Sequence, residues 1–407
     1  MKTPLCRVLS LSALIAWAAW AAQPVPTESA LDARALKEVP GRLQRFVEDG
    51  TIAGAVTLVA RHDRVACLDV IGRADVATKQ RMRPDHLFWI ASMTKPITAT
   101  AVLMLQDEGR WSVEDPVEKY LPEFKGQWLV ENKSGDTVTV RRAPRPITLR
   151  DLLTHTSGLG DVPAPRPDCS LAELVIAYAQ QPLQFPPGSK WQYSNAGINT
   201  LGRIVEVVSG QPYAVFLERR IFRPLGMEDT TFWPSRRQLK RLAKSYQPRS
   251  DGSGLEEVPV YFIQGNLPDR RRTAFPAGGL FSTAPDLARF YQMILSSGTW
   301  KSRRLVSAES VSLMTRTQTG GLKTGFTDGM SFGLGWAVVK EPTGVTGMLS
   351  PGTFGHGGAY GTQGWIDPQR DLILVLMIQR AKLPNADASD VRRVFQEAAV
   401  AAVIPSR

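Results

Sequence analysis

The sequence predicts an α+β fold: an antiparallel β-sheet flanked by N- and C-terminal helices, with a mostly helical part inserted between its two halves. Three observations carry this. Segments rich in β-formers stand near both ends of the 407-residue chain. Residues 147–230 alternate helical runs with structured loops such as HTSGLG, FPPGSKWQYSNAG and RPLGM. A strand, a turn and a strongly apolar strand come just before a closing helix. If both ends share one sheet, the helical part meets it at a cleft, a favoured place for a site. The catalytic domain is read as residues 35–405, with the sheet part at about 35–90 and 275–405 and the helical part at about 91–274.

Residues 1–21 are set aside from the fold. They carry Lys2 and Arg7, a mostly apolar run over residues 8–18, and the small-x-small tripeptide Ala19-Trp20-Ala21. This is the pattern of a secretory signal peptide. The apolar run is short for a membrane span, and the chain turns polar and Pro-rich after it. A periplasmic or secreted protein is expected. Export would permit a disulfide between Cys67 and Cys169, the two cysteines that survive cleavage, but spacing does not show whether they meet.

The elements follow in order. AGAVTLVARHDRVACLDVIG (53–72) reads as two β-rich runs around a turn, a hairpin. TKPITATAVLMLQDEG (94–109) has apolar residues at helical spacing and closes on Gly109. Pro96 sits in its first turn, where a missing N–H costs little. Residues 126–146 are polar and turn-rich and read as an insertion or mobile loop. FGLGWAVVK (332–340) reads as a return to strand. GWIDPQRDLILVLMIQR (364–380) is a strand, a turn at Asp367-Pro368 and a second strand. ASDVRRVFQEAAVAAV (388–403) closes the chain as an amphipathic helix.

Hydrophobic residues make up 43% and charged residues 21%, ordinary for a globular protein and too polar for one that crosses a membrane many times. The net charge is +11, and +9 once Lys2 and Arg7 are removed. Much of the excess lies in residues 236–249, where six basic residues stand without an acid, and in the run DRRR at 269–272. Such a patch can attract anionic cell-envelope polymers or lipid head groups. No nucleic-acid fold signature accompanies it, and no nucleic-acid partner is expected. The four histidines are scattered, without His-Glu-x-x-His or paired-Cys spacing, so neither metal nor cofactor is expected.

The chemistry starts at WIASMTKPITAT (89–100). A serine hydroxyl is a weak nucleophile and needs a base within hydrogen-bond reach. At a helix start, positions i and i+3 share a face, so Lys95 is brought to Ser92. The helix N-terminus offers free N–H groups to a developing oxyanion. A lysine is a poor base at neutral pH unless its charge is disfavoured. WQYSNAG offers a second titrating group, Tyr193, whose pKa a neighbouring lysine cation would lower, and Asn195, which could hold Lys95 or a substrate amide. The third stretch, GTFGHGGAYGT (352–362), has five glycines in eleven residues and allows close backbone approach to a ligand. It reads as an edge strand facing the cleft. His356 would point at the substrate, and an N–H near Ala359 could complete an oxyanion hole with that of Ser92.

These residues carry a resemblance. Ser92-Met93-Thr94-Lys95, Tyr193-Ser194-Asn195 and His356-Gly357-Gly358 stand in the order of the Ser-x-x-Lys, Tyr-x-Asn and Lys-Thr-Gly or His-Gly-Gly elements. The chain resembles the serine β-lactamase and penicillin-binding-protein superfamily, in the class C β-lactamase-related branch that includes the family VIII carboxylesterases. DPVEKYLPEF, ITLRDLLTHTSGL, PAGGLFSTAPDLARF and IDPQRDLILVLM add to it, and it spans roughly residues 35–405. The resemblance implies that Ser92 is the acylated nucleophile and that Lys95 and Tyr193 share the acid–base work. It implies that Asn195 supports the site, and that His356, with the N–H groups of Ser92 and Ala359 beyond Gly357 and Gly358, orients the carbonyl.

Two decoys stand nearby. Lys323-Thr324-Gly325 is the literal β-lactamase triplet, but it reads as a loop. Gly329-Met330-Ser331-Phe332-Gly333 matches Gly-x-Ser-x-Gly, but lacks a strand before it and a helix after it, so Ser331 reads as a structural loop residue. His155 in LLTHTSGL reads as structural. A histidine in place of the usual lysine is a weaker, titrating cation and favours neutral acyl substrates. The expectation is an exported serine hydrolase that cleaves small-molecule carboxylic esters. The alternatives are a β-lactamase or D-amino-acid peptidase acting on lactam or amide substrates, and a catalytically idle cell-envelope binding protein.

Overall fold

The structure, a computed structural model, describes residues 31–164 and 166–404. The expected signal segment at 1–21 lies outside the described residues. Eight antiparallel strands form the main sheet: β1 (Gly54–Arg61), β2 (Arg64–Asp75), β3 (Gln80–Arg81), β4 (Met330–Phe332), β5 (Ala337–Val339), β6 (Phe354–Gly357), β7 (Gln363–Asp367) and β8 (Leu372–Met377). Their order is β4-β5-β6-β7-β8-β1-β2-β3. The join is β8 on β1, with Val56 opposite Met377 and Arg61 opposite Leu372. Both ends of the chain therefore share one sheet.

The strand sequences explain why that sheet is covered on both faces. Successive side chains of a strand point to opposite faces. In β8, Leu372, Leu374 and Leu376 enter one apolar cluster, while Ile373, Val375 and Met377 enter another. On the first face lie helix α1 (Ala33–Glu48), through Leu36, Val39, Leu43 and Phe46, and the C-terminal helix, through Val391, Val394 and Phe395. On the second face lie α2 (Thr94–Asp107) and α4 (Ala284–Leu295), with Ile97, Leu287 and Tyr291 in the core. Helix α3 (Asn195–Ser209) packs on α2 and belongs to the same cluster. The C-terminal helix, α5, spans Asp390–Ala401.

Three local expectations are corrected, and the open question of the cysteines is answered. Residues 126–146 hold a hairpin, Trp128–Ser134 paired with Thr137–Arg142. All of the second strand is exposed, so no apolar alternation betrays it; the Arg142 guanidinium lies 3.9 Å from the Trp128 ring centroid. FGLGWAVV is not one strand. β4 ends at Phe332, and residues 333–336 turn back, closed by Gly333 N–H donating to Trp336 O. The strand bearing His356, β6, is not an edge strand of the sheet but lies between β5 and β7. Its β5 pairing stops at Gly355, however, which leaves His356 and Gly357 without a β5 partner on that side. Cys67 and Cys169 are both free thiols. Cys67 packs with the α1 and α5 layer, and Cys169 with the helical core, so they cannot bridge.

Candidate active site

Ser92 sits in a 3-10 turn, Ala91–Met93, that runs directly into α2. Ala91 holds φ +46, a conformation rarely adopted by a residue with a side chain. Neighbouring contacts hold it there: Ile90 N–H donates to Leu280 O at 3.0 Å, and Phe88–Trp89 pairs with Phe281–Ser282. The segment 277–282 thus fixes the turn that presents Ser92. Ser92 does not cap α2: the N-cap is Met93, with no side-chain capping bond.

Lys95 lies fully buried one turn on. Its Nζ is 3.1 Å from Ser92 Oγ, 2.9 Å from Asn195 Oδ1 and 2.6 Å from Ala277 O. Burial drives its pKa down to about 7, against an opposing pull from Asp161. A neutral amine has two N–H donors and one lone pair. The carbonyl oxygens of Asn195 and Ala277 can only accept, so they take both donors. The lone pair is left for the Ser92 hydroxyl to donate to. The neutral form therefore fits all three contacts, and it turns Lys95 into a base.

Tyr193 is placed against both residues. Its ring centroid lies 4.6 Å from Lys95 Nζ. Its Oη is buried without a hydrogen-bond partner; the Ser92 hydroxyl is its neighbour but not at hydrogen-bond geometry. Burial raises the phenol above its ordinary value and outweighs the Ser92 hydroxyl, which lowers it; Asp387 and Asp161 push the same way as burial. The expected lowering by a lysine cation is reversed. Desolvation of a fully buried pair outweighs their mutual attraction, so the lysine gives up its charge and the tyrosine keeps its proton.

His356 lies on β6 and is buried, and its Nδ1 is 2.7 Å from Gly357 O. A carbonyl only accepts, so Nδ1 carries the hydrogen and Nε2 is left as an unpartnered acceptor. Burial, with Lys95 nearby, pushes its pKa down to about 3. The expected titrating cation is therefore a neutral imidazole. Gly358 must be glycine: a Cβ there would stand 2.1 Å from Thr362 Oγ1 and 2.7 Å from Ile90 O. That close approach seats the strand end beside the Ser92 turn. Ala359 follows, exposed.

Two positioning groups escaped the sequence reading. Asp161 accepts from Asn195 Nδ2 at 2.9 Å and from Ala196 N–H at 2.6 Å. It thereby turns the Asn195 amide so that Oδ1 faces Lys95. Its signal was only its place just after the glycines of HTSGLG. Ala277 contributes a backbone carbonyl, which no side-chain pattern reveals. His155, read from the sequence as structural, touches the site: its Nδ1 accepts from Ser194 N–H at 3.2 Å and its ring centroid lies 4.6 Å from that of Tyr193. The decoys are placed as follows. Ser331 is buried on β4, a strand and not a loop, with its hydroxyl 3.0 Å from that of Thr319. Lys323, Thr324 and Gly325 lie outside any strand. Among the described residues, no group of three or more His, Cys, Asp or Glu could hold a metal ion.

The chain has counterparts among known proteins. Residues 40–399 match the Beta-lactamase family model. Esterase EstB of Burkholderia gladioli is 31% identical over 386 residues, covering 88% of this chain and 93% of the relative. Penicillin-binding protein 4 of Amycolatopsis lactamdurans is 34% identical over 283 residues, covering 69% and 68%. Among solved structures, EstCE1, described as a hydrolase with promiscuous acyltransferase activity, superposes with a TM-score of 0.74 at 25% identity, covering 90% of this chain and 99% of that one. With the family model spanning nearly the whole chain, this protein belongs to the Beta-lactamase family and is a serine hydrolase of that fold.

Proposed function

We propose that the protein is an exported carboxylesterase that works through an acyl-enzyme on Ser92. The observation that supports this best is the buried Lys95 amine, 3.1 Å from Ser92 Oγ with its pKa near 7. Neutral Lys95 takes the hydroxyl proton as Ser92 Oγ attacks the ester carbonyl. The N–H groups of Ser92 and Ala359 receive the oxyanion. Tyr193, kept as a neutral phenol, gives its proton to the leaving alkoxide and regains one from the Lys95 ammonium. Water then attacks the acyl-serine by the same base, releasing the carboxylic acid and restoring Ser92. Asn195 and Asp161 hold the lysine. Neutral His356 offers no cation to a substrate carboxylate, which favours esters over the lactam and peptide substrates of the alternative reading.

Export rests on the N-terminal pattern. Envelope contact rests on the basic patch, which is smaller than its sequence: Arg241 pairs with Asp229 and Lys244 with Glu257. Arg236, Arg237 and Lys240 are left exposed to meet an anionic polymer.

The test is p-nitrophenyl butyrate hydrolysis by the mature protein beside Ser92→Ala and Ser331→Ala. The expected result is turnover lost only with Ser92. Turnover that survives in Ser92→Ala sinks the assignment. No turnover by the unaltered protein moves the weight to amide and β-lactam substrates.

A further inference from the structure

We infer that Asp387 sets the charge selectivity of this site: the cleft accepts neutral and cationic esters and rejects those carrying a carboxylate close to the scissile carbonyl. The inference rests on the esterase reading and deepens it.

Asp387 lies in the turn Ala386–Ala388 that leads into α5. Its carboxylate is laid on the backbone of the His-Gly-Gly strand. A Cβ on Gly357 would stand 1.9 Å from Asp387 Oδ1. Gln363 Nε2 donates to the same oxygen at 3.2 Å. The carboxylate is 20% exposed. Across the site, Asp161 holds a second carboxylate on Asn195. Both are felt at the Tyr193 hydroxyl, beside Ser92.

Neither basic group of the site answers them. Lys95 is committed to its two carbonyls, and His356 carries no charge. The Arg392 guanidinium comes within 3.9 Å of Asp387 Oδ1, but it is almost wholly buried and held behind the strand. It donates to Asp387 O at 2.7 Å and lies 4.2 Å from the Trp365 ring centroid, on the α5 side of the sheet. It steadies the carboxylate from behind without reaching the cleft.

An acid laid against the end of that strand, and paired only from behind by Arg392, repels an anion at short range. The neighbouring surface suits the opposite charge. Asn385 Nδ2 donates to Phe326 O at 2.7 Å, tying the Asp387 turn to the loop that carries Phe326. The Phe326 ring is 45% exposed, with its centroid 5.0 Å from that of Tyr193 and 5.9 Å from that of Trp191. Aromatic faces beside a carboxylate attract an organic cation.

The experiment compares kcat/KM for three p-nitrophenyl esters of similar acyl length: butyrate, hemiglutarate and 4-(trimethylammonio)butyrate. Hemiglutarate should fall about tenfold or more below butyrate, and the cationic ester should match or exceed it. Asp387→Asn should raise the hemiglutarate-to-butyrate ratio about tenfold. With the unaltered protein, raising salt should raise the same ratio, a readout that needs no variant. Equal rates on hemiglutarate and butyrate, or an unchanged ratio in Asp387→Asn, would overturn the inference while leaving the esterase standing. If none of the three esters is turned over, the esterase reading fails by itself. The inference is then read from inhibitor binding: 3-carboxyphenylboronic acid should bind about tenfold more weakly than phenylboronic acid, and Asp387→Asn should close that gap. Equal binding of the two would overturn it.

Discussion

At the residue scale, burial decides which group holds the proton. Lys95 is fully enclosed, and enclosure costs the ammonium more than Asp161 returns. The activity of free enzyme should therefore depend on the neutral amine. We expect kcat/KM to rise with pH through about 7 and then level off. Tyr193 must stay protonated, and burial raises its pKa, so it imposes no alkaline fall in the neutral range. Asp161 gives this a sharper form. Its charge raises the Lys95 pKa, so Asp161→Asn should move the acid limb to lower pH. The plateau should drop about ten- to hundredfold, since Asn195 loses its charged acceptor. A pH–rate profile of both proteins checks it. An acid limb that stays in place would mean that Lys95 is not the titrating base. The nucleophile and lysine spacing could be read directly from the sequence, because i and i+3 at a helix start must share a face. The protonation states could not, because desolvation is a property of what packs around a residue.

At the element scale, legibility follows from how regular the apolar pattern is. β8 reads clearly because it is a short unbroken apolar run, buried on both faces, and α5 because its apolar residues repeat at helical spacing. The hairpin over Trp128–Arg142 did not read, because an exposed ribbon needs no apolar face. The position of β6 did not read either. Strand order depends on pairings far apart in the chain, and a glycine-rich segment carries little side-chain pattern to fix them. The α1–α5 layer carries a prediction of its own. Phe395 is wholly buried and joins both helices to the sheet. Truncating such a ring removes its transfer free energy and leaves a cavity. Phe395→Ala should cost about 3–5 kcal/mol in urea unfolding. A loss under about 1 kcal/mol would mean that the layer collapses around the gap and is not close-packed there.

At the scale of the whole molecule, the fold closes on itself at its two ends. Asp32 N–H donates to Ala402 O at 2.8 Å, and Leu31 bridges to Val403. Cleavage after Ala21 takes away Lys2 and Arg7 and leaves the basic patch intact. If the N-terminal pattern is a signal peptide, expression in an exporting bacterial host should yield a periplasmic or secreted enzyme whose intact mass begins at Ala22. Placing bulky charged residues at positions 19 and 21 should block that cleavage. The mature form and an uncleaved form should have the same Tm and the same kcat/KM, because a leader of this pattern serves export and not the fold. An intact mass that retains Met1 in the exported fraction would overturn the signal assignment. A lower Tm for the mature form would instead show that the leading residues pack on the fold.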